Sequence, residues 1–586
     1  MLGLTKDSFC FTKFLCIAAL AACISSTFLF NLGSDIWEKQ LHGSFFYLTC
    51  ITMGAIVSFL WLFKIGVISI KILDIYVMFF IGYILCRAIK DSYPFVDQTQ
   101  FYDYISYASI YIIIRITSRP ARLNRGVIYT ILFVALANVI LVVLQFFRIT
   151  PLSNNLGIVS GFFVNPGSLG GFIASVLPLI ITLNLPIQMS KWIKGIFILV
   201  LAVTLFLSSS RAAYIASTVP FIIYYVPWSR MIKNRYAWIM IILILCVTLF
   251  LLFQLYKLNP LSVQGRILIW KVSFQMFLER PFFGHGAGSF MSSYNTYQGE
   301  YFQSSFGTSR EKLLAGTVYT PFNEFLKILI EGGVFGIFLF SLIIFKLIRA
   351  IRYAERIFIP LYLSIFSILI FSIFSYPFTV HTNCSVFFAL LGLIPTKTIY
   401  VESIARNVSW VIFPIYIFLS MPTFRSISSI KQWKAASAMW NYNEYQALKG
   451  YNRVATDLAY NWAFMYNYGA ELLRHGHTVE AIHILTKCRS LGDNVLVNNQ
   501  LGQAYGNIGH YKQAETHFKR ATNMVPGMLS QKFALFKLYE KTRNWERYFD
   551  AAKEIEDTPV KIKNPEAFFI KKETQSSVLK YKNQKK

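Results

Sequence analysis

Residues 322–345 read FNEFLKILIEGGVFGIFLFSLIIF, an apolar run interrupted by three charges, Glu324, Lys327 and Glu331. About 20 apolar residues suffice for a helix to cross the hydrocarbon core of a bilayer, so this stretch reads as a membrane span that carries two carboxylates. Glu324 and Glu331 are seven positions apart, which sets them on roughly the same face, two turns separated. Ionised side chains at membrane depth are costly and face a cavity or a partner. Asn323 and Glu324 stand at one end of the span.

Similar runs recur outward from this one, near 14–30, 44–62, 67–86, 101–116, 126–147, 158–185, 194–208, 211–227, 236–256, 357–375, 384–395 and 408–424. With 322–345 they make thirteen candidate spans. The first could pass for a signal peptide but lacks a clear small-residue cleavage site, so it reads as a retained helix. Of 586 residues, 55% are apolar, 17% aromatic and only 14% charged. A secreted disulfide scaffold, a disordered chain and a nucleic-acid-binding globule are thereby excluded for the main body. Residues 1–424 carry 31 basic and 14 acidic side chains, and 425–586 carry 25 and 14. The expected class is all-α: a polytopic helical membrane domain (1–424) followed by a polar, Lys-rich tail.

Orientation follows from basic loop residues, which concentrate on the cytoplasmic side. With the N-terminus in the cytoplasm, and counting short loops, nineteen Lys and Arg fall in inner loops and five, Lys39, Arg87, Lys90, Arg148 and Arg211, in outer ones. The long loop 257–321 and the whole tail then lie outside the cytoplasm. Of eight Cys, only Cys488 is in the tail, and no CxxC or His/Cys cluster occurs; neither a disulfide framework nor a zinc site is indicated.

In the tail, Leu501, Gly502, Tyr505, Gly509, Tyr511, Ala514, Phe518, Ala521 and Pro526 have spacings that resemble a tetratricopeptide unit. Thirty-three residues earlier, Tyr468, Gly469, Leu472, Gly476, Ala481, Leu485 and Cys488 repeat the frame. Leu535, Tyr539, Trp545 and Ala552 continue it more weakly, and 431–458 read as a degenerate first unit. Several stacked units are needed to bury a continuous core, so residues 425–560 are expected to form a small α-solenoid and 561–586 a basic, disordered end. Whether the solenoid binds a protein, a glycan or nothing is open from sequence.

Four places in the membrane domain carry candidate chemistry. Ser208-Ser209-Ser210-Arg211 separates two spans on the outer side, where Arg is sparse. Gly265–Arg280 has apolar positions at helical spacing (Ile267, Ile269, Trp270, Phe274, Phe277, Leu278) and reads as an amphipathic helix on the outer surface. Arg266 near its start suits bidentate contact with a phosphate. Each Arg could equally snorkel to lipid headgroups. Pro281–Phe290 (PFFGHGAGSF) reads as a flexible hinge beneath a mobile loop rather than a phosphate loop, since no GK[ST] follows. It contains His285, able to titrate near neutral pH. The fourth place is Asn323-Glu324 with Glu331.

Taken in order, SSSRA, GRxxxW (Gly265, Arg266, Trp270), PFFGHGAGSF and NEFLxxxxExGxxG resemble the O-antigen ligase and polymerase superfamily over roughly residues 120–400. That resemblance implies a bacterial inner-membrane glycosyltransferase that moves a saccharide from undecaprenyl diphosphate to an acceptor hydroxyl on the periplasmic side. Arg211 and Arg266 would contact the donor diphosphate, with Asn323 in support. Many ligases have His directly before the Asn; this chain has Phe322. The base is therefore sought at Glu324, then His381, then His285, or no strong base is needed. No metal or other cofactor is implied. The acceptor is a lipid A core, a growing glycan or a protein hydroxyl, and the tail offers a surface for a protein partner. The readings outside this class are a lipid-linked sugar transporter, which would predict internal repeats, and a scaffold, which leaves the paired arginines unexplained.

Overall fold

The computed structural model describes residues 36–62, 68–90, 99–117, 124–152, 157–183, 191–225, 260–304, 306–395, 398–402, 405–560 and 565–585. The candidate spans 14–30 and 236–256, and with them the retained first helix, lie outside the described residues. Each of the other eleven coincides with a helix: α1 Ile36–Leu62, α2 Ile72–Lys90, α3 Thr99–Thr117, α4 Arg125–Phe146, α5 Pro166–Thr182, α6 Lys191–Leu207, α7 Arg211–Tyr225, α11 Glu324–Ile351, α12 Ile359–Phe374, α13 His381–Leu393 and α14 Ala405–Met439. Between them, α8 (Pro260–Glu279), α9 (Ser289–Gln303) and α10 (Ser309–Leu314) form the long loop. Among the described residues the regular structure is all helical apart from one short antiparallel pairing of Ile68–Lys71 with Thr398–Glu402. Five of the described helices are long and apolar enough to cross a membrane by length and composition.

The span expected at 158–185 is helical only from Pro166. Upstream, the chain runs as irregular backbone whose N–H groups are taken up by buried amides of α4. Gln145 Oε1 accepts from Ser160 N (3.0 Å) and Gly161 N (2.9 Å), and Asn138 Oδ1 from Phe162 N (3.1 Å). Away from water each such donor needs a partner, and two polar side chains in an otherwise apolar helix supply them. Asn165 then caps α5 and Pro166 takes its first position.

A second departure lies in α11. Its helix is broken at Gly333, which has φ of +66°. The Gly-rich turn after α8 fills the break: Val334 N donates to Pro281 O (2.8 Å), Phe335 N to Phe282 O (3.1 Å), His285 N to Ile330 O (2.8 Å) and Gly286 N to Glu331 O (2.9 Å). A Cβ on Gly284 would sit 2.5 Å from the Glu331 carbonyl carbon, and one on Gly333 2.3 Å from Phe282 O. PFFGHGAG and EGG are thus one rigid backbone interlock, which replaces the expected flexible hinge. It fixes the loop to the membrane domain.

The amphipathic reading of α8 is also corrected. Its buried residues are Leu268, Ile269, Val272, Ser273 and Met276, packed against Phe290 and Tyr294 of α9. Ile267, Phe274 and Leu278 are exposed on the other side. The helix is apolar on two faces, one covered by α9.

Beyond residue 424, α14 continues without interruption to Met439, carrying the membrane domain directly into the tail. It runs antiparallel to α1: Trp433 meets Trp37 (4.8 Å between ring centroids) and Ser426 meets Ser44 (3.4 Å). After α15 (Glu444–Val454) come three helical hairpins: α16 (Trp462–Arg474) with α17 (Thr478–Leu491), α18 (Val495–Asn507) with α19 (Tyr511–Met524), and α20 (Leu529–Lys541) with α21 (Trp545–Asp557). Their starts at 462, 495 and 529 follow the spacing of the small and aromatic residues in the sequence. Gly502 admits the Phe518 ring of the facing helix, and Gly469 admits Leu485. The Lys-rich end is a further helix, α22 (Pro565–Lys585), in place of the expected disorder. Ala567 and Ile570 are buried on it, and Tyr581 packs on Trp545 (4.2 Å).

Candidate functional site

Four segments remote in sequence enclose a cavity of about 500 Å³: the entry to α5, the Ser208–Ala212 turn, the first turns of α8, and the Phe374–Tyr376 corner, with Phe322 at its edge. Ser209 turns the chain between α6 and α7 in a left-handed conformation (φ +52°) and leaves Arg211 as the first residue of α7. Arg266 projects from the second turn of α8. Its Nη1 donates to Phe374 O (2.8 Å), and its guanidinium lies 5.1 Å from the centre of the Phe322 ring. Phe322 in turn meets Tyr376 edge-on at 5.3 Å. Trp270 Nε1 donates to Pro321 O (2.9 Å), so α8 holds the backbone that presents Phe322.

Both predicted donor-binding arginines line this cavity. Burial and then the charge of Arg211 lower the pKa of Arg266 from its ordinary value; a guanidinium remains charged regardless. No Asp or Glu is among the described lining residues. The first turns of α5, α7 and α8 all face the space through Gly167, Arg211 and Ser262. Helix N-termini carry partial positive charge and free N–H groups, so this acid-free chamber favours an anion.

The other predicted residues lie elsewhere. Asn323 caps α11, its Oδ1 accepting from Leu326 N (3.0 Å). Glu324 turns away from the arginines: its Oε1 accepts from Phe378 N (2.8 Å), and with Asp103, Lys327 and Glu331 it lines a separate cavity of about 60 Å³. The two carboxylates expected on one face do share this chamber. His381 is packed against Phe46 (4.5 Å), with Nδ1 3.1 Å from Tyr107 Oη and 3.3 Å from Asp103 Oδ1. His285 is buried in the interlock, where Nε2 donates to Met276 O (2.6 Å) and burial lowers its pKa. None of the three base candidates lines the arginine cavity.

Sequence reasoning missed Asn165 and Tyr376. Asn165 Oδ1 accepts from Gly167 N (2.7 Å) while Nδ2 donates to Tyr376 Oη (2.7 Å), so one side chain caps α5 and fixes the phenol. The Asn-Pro-Gly triplet at 165–167 is a helix-start signal; nothing local to Tyr376 announces it. Among the described residues, no group of three or more His, Cys, Asp or Glu is placed to hold a metal.

The described chain is thus a helical membrane domain with an arginine-lined chamber whose described lining residues include no carboxylate. Residues 196–341, about a quarter of the chain, match the family model described as O-antigen ligase, so this part of the chain is similar to that family. The matched segment contains Arg211, Arg266, His285, Asn323 and Glu324, and leaves Asn165, Tyr376 and His381 outside it. No curated protein matches the chain.

Proposed function

We propose that this protein transfers a polysaccharide or oligosaccharide from undecaprenyl diphosphate to an acceptor hydroxyl on the periplasmic side of the bacterial inner membrane, in the manner of an O-antigen ligase, without a metal. The observation that carries this reading is the convergence of Arg211, Arg266 and three helix N-termini on one chamber free of carboxylates. In such a transfer the acceptor oxygen bonds to the anomeric carbon and the bond from that carbon to the phosphate oxygen breaks. The electron pair leaves with the lipid diphosphate. Prearranged cations and N–H dipoles stabilise that growing charge more than they stabilise the intact donor, which is the requirement for rate enhancement. Arg266 is held by Phe374 O and the Phe322 ring before any donor arrives, so little reorganisation opposes it. The acceptor proton leaves to a base. Glu324 is our first candidate, as the carboxylate two residues beyond Phe322, which walls the arginine chamber; it lines a separate cavity and would have to turn toward the acceptor. His381 and His285 rank behind it. The helical hairpins we read as tetratricopeptide units on the periplasmic side.

Arg211→Ala and Arg266→Ala are each expected to lower transfer at least about a hundredfold, the usual cost of losing a transition-state charge donor, with protein abundance unchanged. Full activity in both variants overturns the donor-site assignment. Glu324→Gln and His381→Ala belong in the same assay; if neither slows transfer, proton loss needs neither side chain. A knockout decides the acceptor. Free polymer with bare lipid A core marks a ligase, chains cut to one repeat unit mark a polymerase, and loss of protein-linked glycan marks a protein transferase.

A further inference from the structure

The long loop does not stand free of the tail: α9 is seated on the solenoid. Gln298 of α9 is fully buried, and its Nε2 donates both to Met524 O at the end of α19 (2.6 Å) and to Gly316 O of the loop's own return segment (3.0 Å). Tyr294 Oη donates to its Oε1 (3.1 Å), so the amide is saturated and its orientation set. One turn earlier, buried Asn295 holds Val318 at both ends, accepting from its N (3.3 Å) and donating to its O (3.4 Å). Elsewhere along the seam Asp493 N donates to Ser292 O (3.2 Å). Gly299 lies so near α19 that a Cβ there would be 3.3 Å from Met524 Cγ and 3.6 Å from its Cα. A glycine that admits the neighbouring helix and, next to it on α9, a buried amide bridging two carbonyls are features of a built joint, since a buried amide left without partners is destabilising.

The joint connects to the arginine chamber through a short covalent path. The segment held by Gln298 and Asn295 runs on to Pro321, whose carbonyl anchors Trp270, and to Phe322, whose ring underlies Arg266. The same helix, through Phe290 and Tyr294, packs with Leu268, Val272 and Met276 of α8, the helix that bears Arg266. Both halves of the Arg266 setting therefore rest on α9, and α9 rests on α19 and on the Gly492–Asp493 turn that precedes α18.

We infer that the helical-repeat tail is a positioning element of the transfer site: by gripping α9 it fixes, through Gln298, the return segment that sets Phe322 against Arg266. This rests on the donor-site reading above. A free cradle for an external partner would leave this face open, whereas here the chain's own loop covers it.

The test uses the full-length chain in native membranes. Gly299→Cys with Met524→Cys puts two thiols within disulfide reach, and copper-phenanthroline oxidation is expected to close an intrachain bond seen as a shift on a non-reducing gel. Gln298→Ala is expected to lower the transfer rate at least tenfold at saturating acceptor. In that background, oxidising the Cys pair restores the rate and reductant removes it again. A merely structural role would not respond to reversible oxidation of the folded chain. A pair that stays reduced overturns the docking. A fully active Gln298→Ala chain, or a closed pair that restores nothing, overturns the positioning role. If Gln298→Ala fails to accumulate, Asn295→Ala takes its place under the same criteria. Activity retained by Arg266→Ala would sink the donor-site reading while leaving the disulfide result standing, so the two failures are distinguishable.

Discussion

Phe322 sits in the left-handed region at φ +53°, a conformation that costs a bulky residue about 1–3 kcal/mol. Trp270 holds the preceding carbonyl, the Tyr376 edge meets the ring, and the ring faces the Arg266 guanidinium. The strain is thus tolerated at the position that shapes the chamber. A cation–π contact of this type is worth about 0.5–2 kcal/mol, so Phe322→Ala should weaken donor binding by roughly 2- to 30-fold while leaving Arg211 in place. The measurement is KM for the lipid-linked donor; an unchanged KM would remove Phe322 from the site. Its ring, unlike the carboxylate of Glu324, lines the arginine chamber.

At the scale of elements, the interlock between the Gly-rich turn and the broken α11 explains two motifs that look unrelated in sequence. Breaking a helix at membrane depth frees backbone groups that must be paired again. Pro281, Phe282, His285 and Gly286 pair them with their own backbone, Tyr83 Oη donates to Gly332 O (2.7 Å) and Arg87 Nη2 to Gly284 O (2.8 Å). Gly284→Ala and Gly333→Ala each combine a left-handed φ with backbone overlap below 3 Å, and each should destabilise the folded chain by at least about 2 kcal/mol. Gly265→Ala is the control. Its Cβ would meet nothing within 4 Å, and a helical Gly→Ala change stabilises by roughly 0.5–1 kcal/mol. Thermal unfolding in detergent should order the three accordingly; equal midpoints would refute the interlock.

At the scale of the whole molecule, tail and loop share one seam, and its acid sensitivity can be read from His517. This imidazole stacks on Tyr505 and donates from Nδ1 to Asn498 Oδ1 (3.0 Å). Its pKa is lowered to about 4, first by burial and then by the charge of Arg489, with Arg520 acting the same way and Asp493 opposing. Because the folded chain binds this proton less readily than the unfolded chain, its contribution is fully present above the unfolded value of about 6.5 and is lost as pH falls toward 4. Asp493 also bonds Ser292 of α9 and Arg520 (2.8 Å), so acid should loosen the seam with the repeats. The unfolding midpoint of the full chain is expected to drop between pH 6.5 and 4.5, and His517→Gln to flatten part of that drop. Identical pH profiles would dismiss this histidine.

Hydrophobic runs and a 33-residue spacing are local properties, and they were sufficient to locate helices at the eleven described candidate spans, Arg211 at the start of α7 and the hairpins of the tail. The Asn-Pro-Gly cap of α5 is a local signal that the reading of 158–185 as one span passed over, and the second bond of Asn165, to Tyr376, has no local signal. Periodicity misassigned α8, because a helix covered by α9 on one side and bare on the other is apolar on both. Only the packed chain brought Asn165, Arg211, Arg266 and Tyr376 around one chamber and turned Glu324 into another. It also seated α9 on the repeats. Those encounters join segments tens to hundreds of residues apart, and they are decided by which surfaces bury together and which broken backbone groups find partners. No window along the sequence contains that information.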